Sequence, residues 1–227
     1  RVGHLFYADY KRMFLIAKTL INHKGLSDDE LHEATQLLFS RFLLLRFIEK
    51  MGWLEFTDSQ GGYLRALTRA GGIEGESLYR SRFLPLFFEG LSSLDRRFDS
   101  DAFGSCPGLG GGLFKRNESL DGRTVDIPDS VIQKLVDDVL YSHNFTVTES
   151  TPLDVEVAVD PEMVGRMFEE LVTGRHDQGA FYTPRKVVSY MCKESIRRYL
   201  NHYGCASPDE IDQLIDSRSR PDGPDSI

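Results

Sequence analysis

The sequence contains no long uninterrupted hydrophobic run. Its densest apolar stretch, residues 42–47, is broken by Arg46 and preceded by Arg41. A membrane-spanning helix needs about 20 consecutive apolar residues, so we expect no membrane association. The first residues also lack the features of a secretory signal peptide. Since the chain does not begin with Met, we interpret it as a fragment or a processed form.

Cysteine and histidine are both sparse. The chain has three cysteines, Cys106, Cys192 and Cys205, and six scattered histidines, without the short spacings of zinc sites. The sequence therefore predicts no metal site. Unpaired cysteines are typical of a reducing compartment, which favours a cytoplasmic protein.

Positive charge is also in short supply. The formal net charge is −8, whereas proteins that grip DNA present basic surfaces to its phosphates. Residues 161–203 are mildly positive, with seven Arg and Lys against five acidic residues. Because the overall charge is negative, we do not expect residues 161–203 to form the main DNA-binding surface. The overall charge does not exclude a DNA enzyme whose binding surface lies elsewhere.

Apolar residues at helical spacing dominate the first part of the chain. They predict a helix over residues 5–23, closed by Gly25. Ser27 and Glu30 form the pattern of a capping box, which predicts the start of a second helix that stops at Gly52. Three further helices are predicted, over residues 62–70, 77–90 and 128–142.

An aromatic residue follows the end of the second helix. We expect Trp53 to pack back on that helix, because aromatic side chains are mostly core material. Trp53 lies in the segment Lys50-Met51-Gly52-Trp53-Leu54, at the end of that helix.

A loop rich in Gly, Ser and Asp is predicted over residues 98–126. It contains Gly108, Gly110 and Gly112, whose spacing is found in nucleotide-binding loops. Such a loop must leave a buried strand and enter a helix. Residues 99–107 do not have a buried-strand pattern, so a structural turn is favoured over cofactor binding.

Alternating apolar residues predict a strand over residues 153–159, followed by a helix over residues 161–172. Asp154 and Glu156 resemble part of a metal-dependent nuclease core. Ala158 stands where that core has a Lys, so a nuclease site is disfavoured.

Residues 179–184, Gly-Ala-Phe-Tyr-Thr-Pro, predict a sharp turn into a helix. Thr183 is placed at the N-cap and Pro184 at the first helical position, where its missing N–H costs nothing. Apolar residues then recur at helical spacing, so one face is expected to pack; they are Val187, Val188, Met191, Ile196, Tyr199 and Leu200. The helix start, the Thr183 hydroxyl and the adjacent aromatics Phe181 and Tyr182 form a seat for a carboxylate and an aromatic ring.

These motifs also carry a family resemblance. The string Asp-Pro-Glu-Met-Val-Gly-Arg-Met-Phe-Glu-Glu-Leu at residues 160–171, then Phe-Tyr-Thr-Pro and its helix, resembles the entry to the methyltransferase domain of adenine-specific DNA methyltransferases of the Eco57I type. The resemblance covers residues 140–203. It implies S-adenosylmethionine as cofactor, double-stranded DNA as partner of the full-length enzyme, and a cofactor-binding set of Phe181, Tyr182, Thr183 and Pro184.

Two motifs that such an enzyme needs do not occur in this sequence. They are an Asp-Pro-x-x-Gly-x-Gly loop for the cofactor and an Asn-Pro-Pro-Tyr or Asn-Pro-Pro-Phe tetrapeptide for the flipped base. In the family both follow Tyr-Thr-Pro, so we expect them beyond Ile227. The chain alone is thus expected to hold no catalytic residue and to be inactive.

The sequence therefore predicts a mainly α protein whose helical N-terminal domain leads into a truncated α/β, Rossmann-like methyltransferase domain. The expected divisions are residues 1–150, the domain entry at 151–204, and a helix start with a flexible tail at 205–227. The alternative is a non-enzymatic helical scaffold or interaction module of a DNA-defence complex, which would use its broad apolar helices for a partner.

Overall fold

The computed structural model describes residues 2–57, 61–110, 112–122, 124–146, 159, 185–203, 210 and 213. The chain divides into two compact units, Arg1–Met163 and Val164–Ile227. Where it is described, the protein is mostly helical, with two small antiparallel ladders. The predicted helical N-terminal region agrees with this. Of the predicted α/β methyltransferase part, residues 151–204, the structure describes only residue 159 and residues 185–203.

Helix α1 spans Val2–Leu20, and one of its sides faces the core. The buried side is formed by Phe6, Tyr10, Met13, Phe14 and Ala17. The predicted extension to residue 23 is wrong, and so is the role of Gly25 as its end. Residues Asn22–His23 instead form strand β1, which pairs antiparallel with Val125–Asp126. The predicted last helical turn is replaced by backbone pairing of Asn22 and His23 with Asp126 and Val125.

Helix α2 spans Asp28–Lys50, and its predicted start is confirmed. The Ser27 hydroxyl accepts a hydrogen bond from Glu30 N at 3.2 Å, and Ser27 N donates to Glu30 Oε2 at 2.8 Å. Asp28 and Asp29 add negative charge to the first turn, where the exposed N–H groups favour it. Local side-chain chemistry therefore fixes where this helix begins.

The end of α2 is also as predicted. Gly52 has a φ of 73° and donates from N to Glu49 O at 2.9 Å, while Trp53 N donates to Ile48 O at 3.2 Å. These two bonds close the helix around a left-handed glycine. The Trp53 side chain does not pack as expected, because 47% of it is exposed, and the neighbouring Leu54 is buried instead.

The capping box gives a direct stability prediction. Replacing Ser27 with Ala should lower the free energy of unfolding by about 1 kcal/mol, since Glu30 N loses its acceptor. Urea denaturation followed by circular dichroism measures the change. Ser27→Thr keeps a hydroxyl and should cost much less. Equal losses for the two variants would show that the cap is not what matters at this position.

The other predicted helices are present, but much of their length is π-helical. Helix α3 spans Tyr63–Ala70. The predicted 77–90 helix contains two π-helical segments, π1 (Tyr79–Phe83) and π2 (Leu86–Leu91). Pro85, which has no N–H to donate, lies between them. The predicted 128–142 helix consists of α5 (Asp129–Lys134) and the π-helical π3 (Leu135–Leu140).

The predicted loop over residues 98–126 is more structured than expected. Strands β2 (Phe98–Ser100) and β3 (Gly104–Cys106) form an antiparallel hairpin in which Asp99 faces Ser105. A short helix α4 (Glu118–Asp121) and strand β4 (Val125–Asp126) follow. The strands have two or three residues each, which is too short for a periodic pattern to reveal them.

Helix α2 is the centre of the first unit. It contacts α1, α3, α4 and π3, and its buried residues lie on more than one side. Aromatic rings fill much of the space around it. Phe42 packs on Phe83 with ring centres 4.7 Å apart, and Phe39 meets Tyr10 edge to face at 5.1 Å.

In the second unit, helix α6 spans Arg185–His202. The predicted helix after the turn is therefore confirmed. In the first unit, Val159 is the only described residue of the predicted 153–159 strand. It is buried and makes a parallel bridge with Phe145. Among the helices that the structure describes, none is both long and apolar enough to cross a membrane.

Candidate functional site

The predicted cofactor residues Phe181, Tyr182, Thr183 and Pro184 lie outside the described residues. So do the predicted helix over residues 161–172 and the Asp154 and Glu156 pair. The structure describes a helix over Arg185–His202, next in the sequence after these residues.

The apolar side of α6 is exposed. Tyr190, Met191 and Tyr199 are 67%, 58% and 62% exposed, and Val187, Val188 and Ile196 are exposed as well. The expectation that this side packs is therefore not met in the described structure; Leu200 alone of the predicted set is half-buried. A helix with this many exposed apolar residues normally has a partner surface. The helix is also basic, with five Arg and Lys and one Glu.

The first unit contains a fully buried ion pair between Arg41 of α2 and Asp121 of α4. Arg41 Nη1 donates to Asp121 Oδ1 at 2.8 Å and Nη2 to Oδ2 at 3.1 Å. Nε donates to Leu113 O at 3.0 Å, Nη2 to Lys115 O at 2.9 Å, and Nη1 to the Tyr79 hydroxyl at 3.2 Å. All five guanidinium N–H groups thus have an acceptor.

Asp121 is equally well satisfied. The Tyr79 hydroxyl donates to its Oδ1 at 2.8 Å, and Asn117 N donates to its Oδ2 at 2.8 Å. Burial and the neighbouring Asp121 raise the pKa of Tyr79 well above its usual value, so its hydroxyl remains a donor. We call Arg41, Tyr79 and Asp121 the Arg41 cluster. Because each of its polar groups has a partner, its role is structural. It ties α2, π1 and α4 to the glycine-rich segment.

A second polar cluster surrounds Tyr141, at the end of π3. The guanidinium carbons of Arg46 and Arg65 lie 3.9 Å and 4.3 Å from its ring centre. Both distances are within the range of a cation–π contact. The Tyr141 hydroxyl donates to Glu49 Oε1, which also accepts from Tyr63 N at 2.7 Å.

Glu49, which belongs to α2, therefore accepts the first backbone N–H of α3, that of Tyr63. Gly62, the N-cap of α3, has no side chain to do this. Arg46 Nη1 lies 3.1 Å from Glu49 Oε2, an ion-pair distance without hydrogen-bond alignment. Burial and the hydrogen bond to Glu49 raise the pKa of Tyr141, which keeps the hydroxyl protonated.

The glycine-rich segment is packed as a turn. Leu109 N and Gly110 N both donate to Leu91 O, at 2.9 Å and 3.0 Å, and Gly108 N donates to Asp95 O at 3.1 Å. A phosphate-binding loop keeps its N–H groups free for the ligand. These three are already used by carbonyl groups of the protein, which supports the structural turn that the sequence favours.

Reactive side chains of the first unit are few. Cys106 is buried, and burial, with a smaller contribution from Asp99, raises the pKa of its thiol to about 11. It is therefore a neutral thiol near pH 7 and a poor nucleophile. Within the part of the chain that the structure describes, no group of three His, Cys, Asp or Glu side chains could hold a metal ion.

The Arg41 and Tyr141 clusters were not predicted from the sequence, although one signal for them was present. Arg41 and Arg46 flank and interrupt the most apolar stretch of the chain. A charge at such a position is buried only if it is paired. The partners, Asp121 and Tyr141, lie some 80 to 95 residues away and have no local pattern that would identify them.

Comparison with known proteins gives one similarity. The chain is 30% identical over 128 residues to a proposed type II restriction enzyme and methyltransferase of Methanocaldococcus jannaschii. The similarity covers 52% of this chain and 11% of that protein, so the chain spans about a tenth of the relative's length. No protein-family model and no solved structure matches. Over about half its length, the chain is thus similar to a proposed type II restriction enzyme and methyltransferase.

Proposed function

We propose that this chain is the helical N-terminal region and domain entry of an adenine-specific, S-adenosylmethionine-dependent DNA methyltransferase of the Eco57I type, within a fused restriction–modification or phage-defence enzyme. The full-length enzyme would transfer a methyl group to the N6 amine of adenine in double-stranded DNA. The relative's name, a type II restriction enzyme and methyltransferase, supports this class of activity.

The observation that carries the proposal is helix α6. It covers Arg185–His202, next in the sequence after the Phe-Tyr-Thr-Pro string, and its apolar side is exposed. Both features are expected of the first helix of a domain whose β-sheet, which would cover the apolar side of that helix, is formed by other residues of the enzyme. The exposed side is then the surface on which the rest of the methyltransferase domain packs.

In this proposal the chain contributes one wall of the cofactor pocket. The helix start offers unpaired N–H groups and a partial positive charge to the cofactor carboxylate. The Thr183 hydroxyl would accept a backbone N–H as N-cap and donate to the cofactor carboxylate. Tyr182 and Pro184 would contact the cofactor beside it, and Phe181 would help to wall the pocket. The cofactor, when bound, supplies the methyl group. The base-binding tetrapeptide lies outside this sequence, so this chain's residues bind and orient only.

Cofactor affinity of the full-length enzyme tests the pocket. We expect Thr183→Ala to weaken S-adenosylmethionine binding about 10- to 100-fold in isothermal titration calorimetry, as for loss of a hydrogen bond to a charged group. Thr183→Ser retains the hydroxyl and is the matched control. Unchanged affinity of Thr183→Ala would remove Thr183 from the pocket. The 227-residue chain by itself should not transfer tritiated methyl groups to DNA, and measurable transfer would contradict the proposed division of the enzyme.

A second candidate function is a non-enzymatic helical module of a DNA-defence complex. The observation in its favour is that α1 has apolar residues on its outward side as well, including Leu5 and Leu15. The reading frame after Ile227 separates the two candidates. Asp-Pro-x-x-Gly-x-Gly followed by Asn-Pro-Pro-Tyr would support the enzyme, and a stop codon soon after would support the module.

A further inference from the structure

Helix α1 has two apolar sides, and only one of them is in the core. The outward side exposes Leu5 by 62% and Ile16 by 38%, and Leu15 and Leu20 are exposed beside them. Several large apolar side chains exposed together on one surface often mark an interaction site. The outward side of α1 is therefore a candidate interaction surface.

One row of this surface has a self-complementary order. Leu5, Asp9, Arg12 and Ile16 follow at spacings of four, three and four, so they lie along one line of the helix. Asp9 and Arg12 are joined by an ion pair of 3.0 Å, and 34% and 69% of their side chains are exposed. The row reads apolar, acidic, basic, apolar.

We propose that α1 pairs with α1 of a second copy of this chain, antiparallel and about a two-fold axis. In such a pair each contact is made twice. An axis midway along the row places Leu5 opposite Ile16 of the other copy and Asp9 opposite Arg12 of the other copy. The apolar ends then bury each other, and the four charges alternate in sign around the axis.

The charges select the antiparallel arrangement. A parallel pair would place Asp9 against Asp9 and Arg12 against Arg12, and like charges disfavour such pairing. Asp9 can serve both copies, because its Oδ1 accepts from Arg12 and its Oδ2 contacts His143 at 3.0 Å, which leaves lone pairs on both oxygens. One helical row buries less area than a standard interface, so the dimer should be weak and concentration-dependent.

Charge reversal gives a discriminating experiment. Sedimentation equilibrium of the 227-residue chain over roughly 1–500 µM, a range chosen because small interfaces are weak, should show a monomer–dimer equilibrium. Asp9→Arg and Arg12→Asp should each weaken dimerisation at least about 10-fold, because like charges then face each other. An equimolar mixture of the two variants should restore it as a heterodimer, since each basic pair faces an acidic pair. Lys11→Asp, on another side of the same helix, is the matched control and should dimerise as the parent does.

A second pair of variants does not depend on Asp9, whose contact with His143 contributes to folding. Leu5→Lys and Ile16→Glu should each dimerise poorly, because each homodimer places two charges against apolar residues. Their mixture should form a heterodimer through one Lys–Glu contact and one native Leu–Ile contact. Circular dichroism melts establish that all variants are folded. A parent chain that stays monomeric throughout, or folded variants whose mixtures fail to associate, would overturn the proposal.

Discussion

Replacing Arg41 with Met should lower the free energy of unfolding by about 3–5 kcal/mol, the cost of removing one partner of a buried ion pair. The Asp121 carboxylate would stay buried with only the Tyr79 hydroxyl and Asn117 N as donors. The carbonyl groups of Leu113 and Lys115 would lose their donor as well. Urea denaturation followed by far-ultraviolet circular dichroism measures the loss.

A double variant separates the cost of the unpaired charge from the worth of the pair. Arg41→Met with Asp121→Leu removes both charges, and well-packed apolar replacements of buried pairs are often neutral. We expect it to be markedly more stable than Arg41→Met alone. Asp137→Ala breaks the exposed pair with Arg65 and should cost less than about 1 kcal/mol. If Arg41→Met also lowered the free energy of unfolding by less than about 1 kcal/mol, the stability of the first unit would not depend on the Arg41 cluster.

The parts of the fold that were predictable are those fixed by neighbouring residues. The start of α2 depends on Ser27 and Glu30, three positions apart, and its end on Gly52, with a φ of 73°. Both follow from local rules for helix termini. The helical character of residues 77–90 was equally local, whereas its π winding depends on how the side chains pack in the assembled core.

The parts that were missed depend on residues far apart in sequence. Asn22 and His23 look like the end of a helix until they pair with Asp126 and Val125. Trp53 resembles a core residue, but the space beneath that turn is occupied by Leu54. The candidate cofactor residues Phe181 to Pro184 stay a prediction from motif order, and the structure adds a helix over Arg185–His202.

Replacing Gly62 with Ala should lower the free energy of unfolding by about 2–4 kcal/mol, from backbone strain together with a lost helix cap. Gly62 has a φ of 111°, a conformation that L-residues avoid. A Cβ there would lie 2.3 Å from the Tyr141 hydroxyl oxygen and 2.4 Å from Glu49 Oε1. The Tyr141 hydroxyl donates to Glu49 Oε1, which also accepts the first N–H of α3. Displacing either group therefore weakens both hydrogen bonds.

The adjacent glycine provides the control for this prediction. Gly61 has a φ of 88°, but a Cβ there would meet only Arg69 Nη1, at 4.0 Å. Gly61→Ala therefore carries the backbone strain without the collision, and the difference between the two variants measures the displacement of Tyr141 and Glu49. Tyr141→Phe removes the nearest colliding atom, so Gly62→Ala should cost less in that background. Equal losses at positions 61 and 62 would mean that strain alone accounts for both, and that the Tyr141 cluster tolerates a methyl group at its centre.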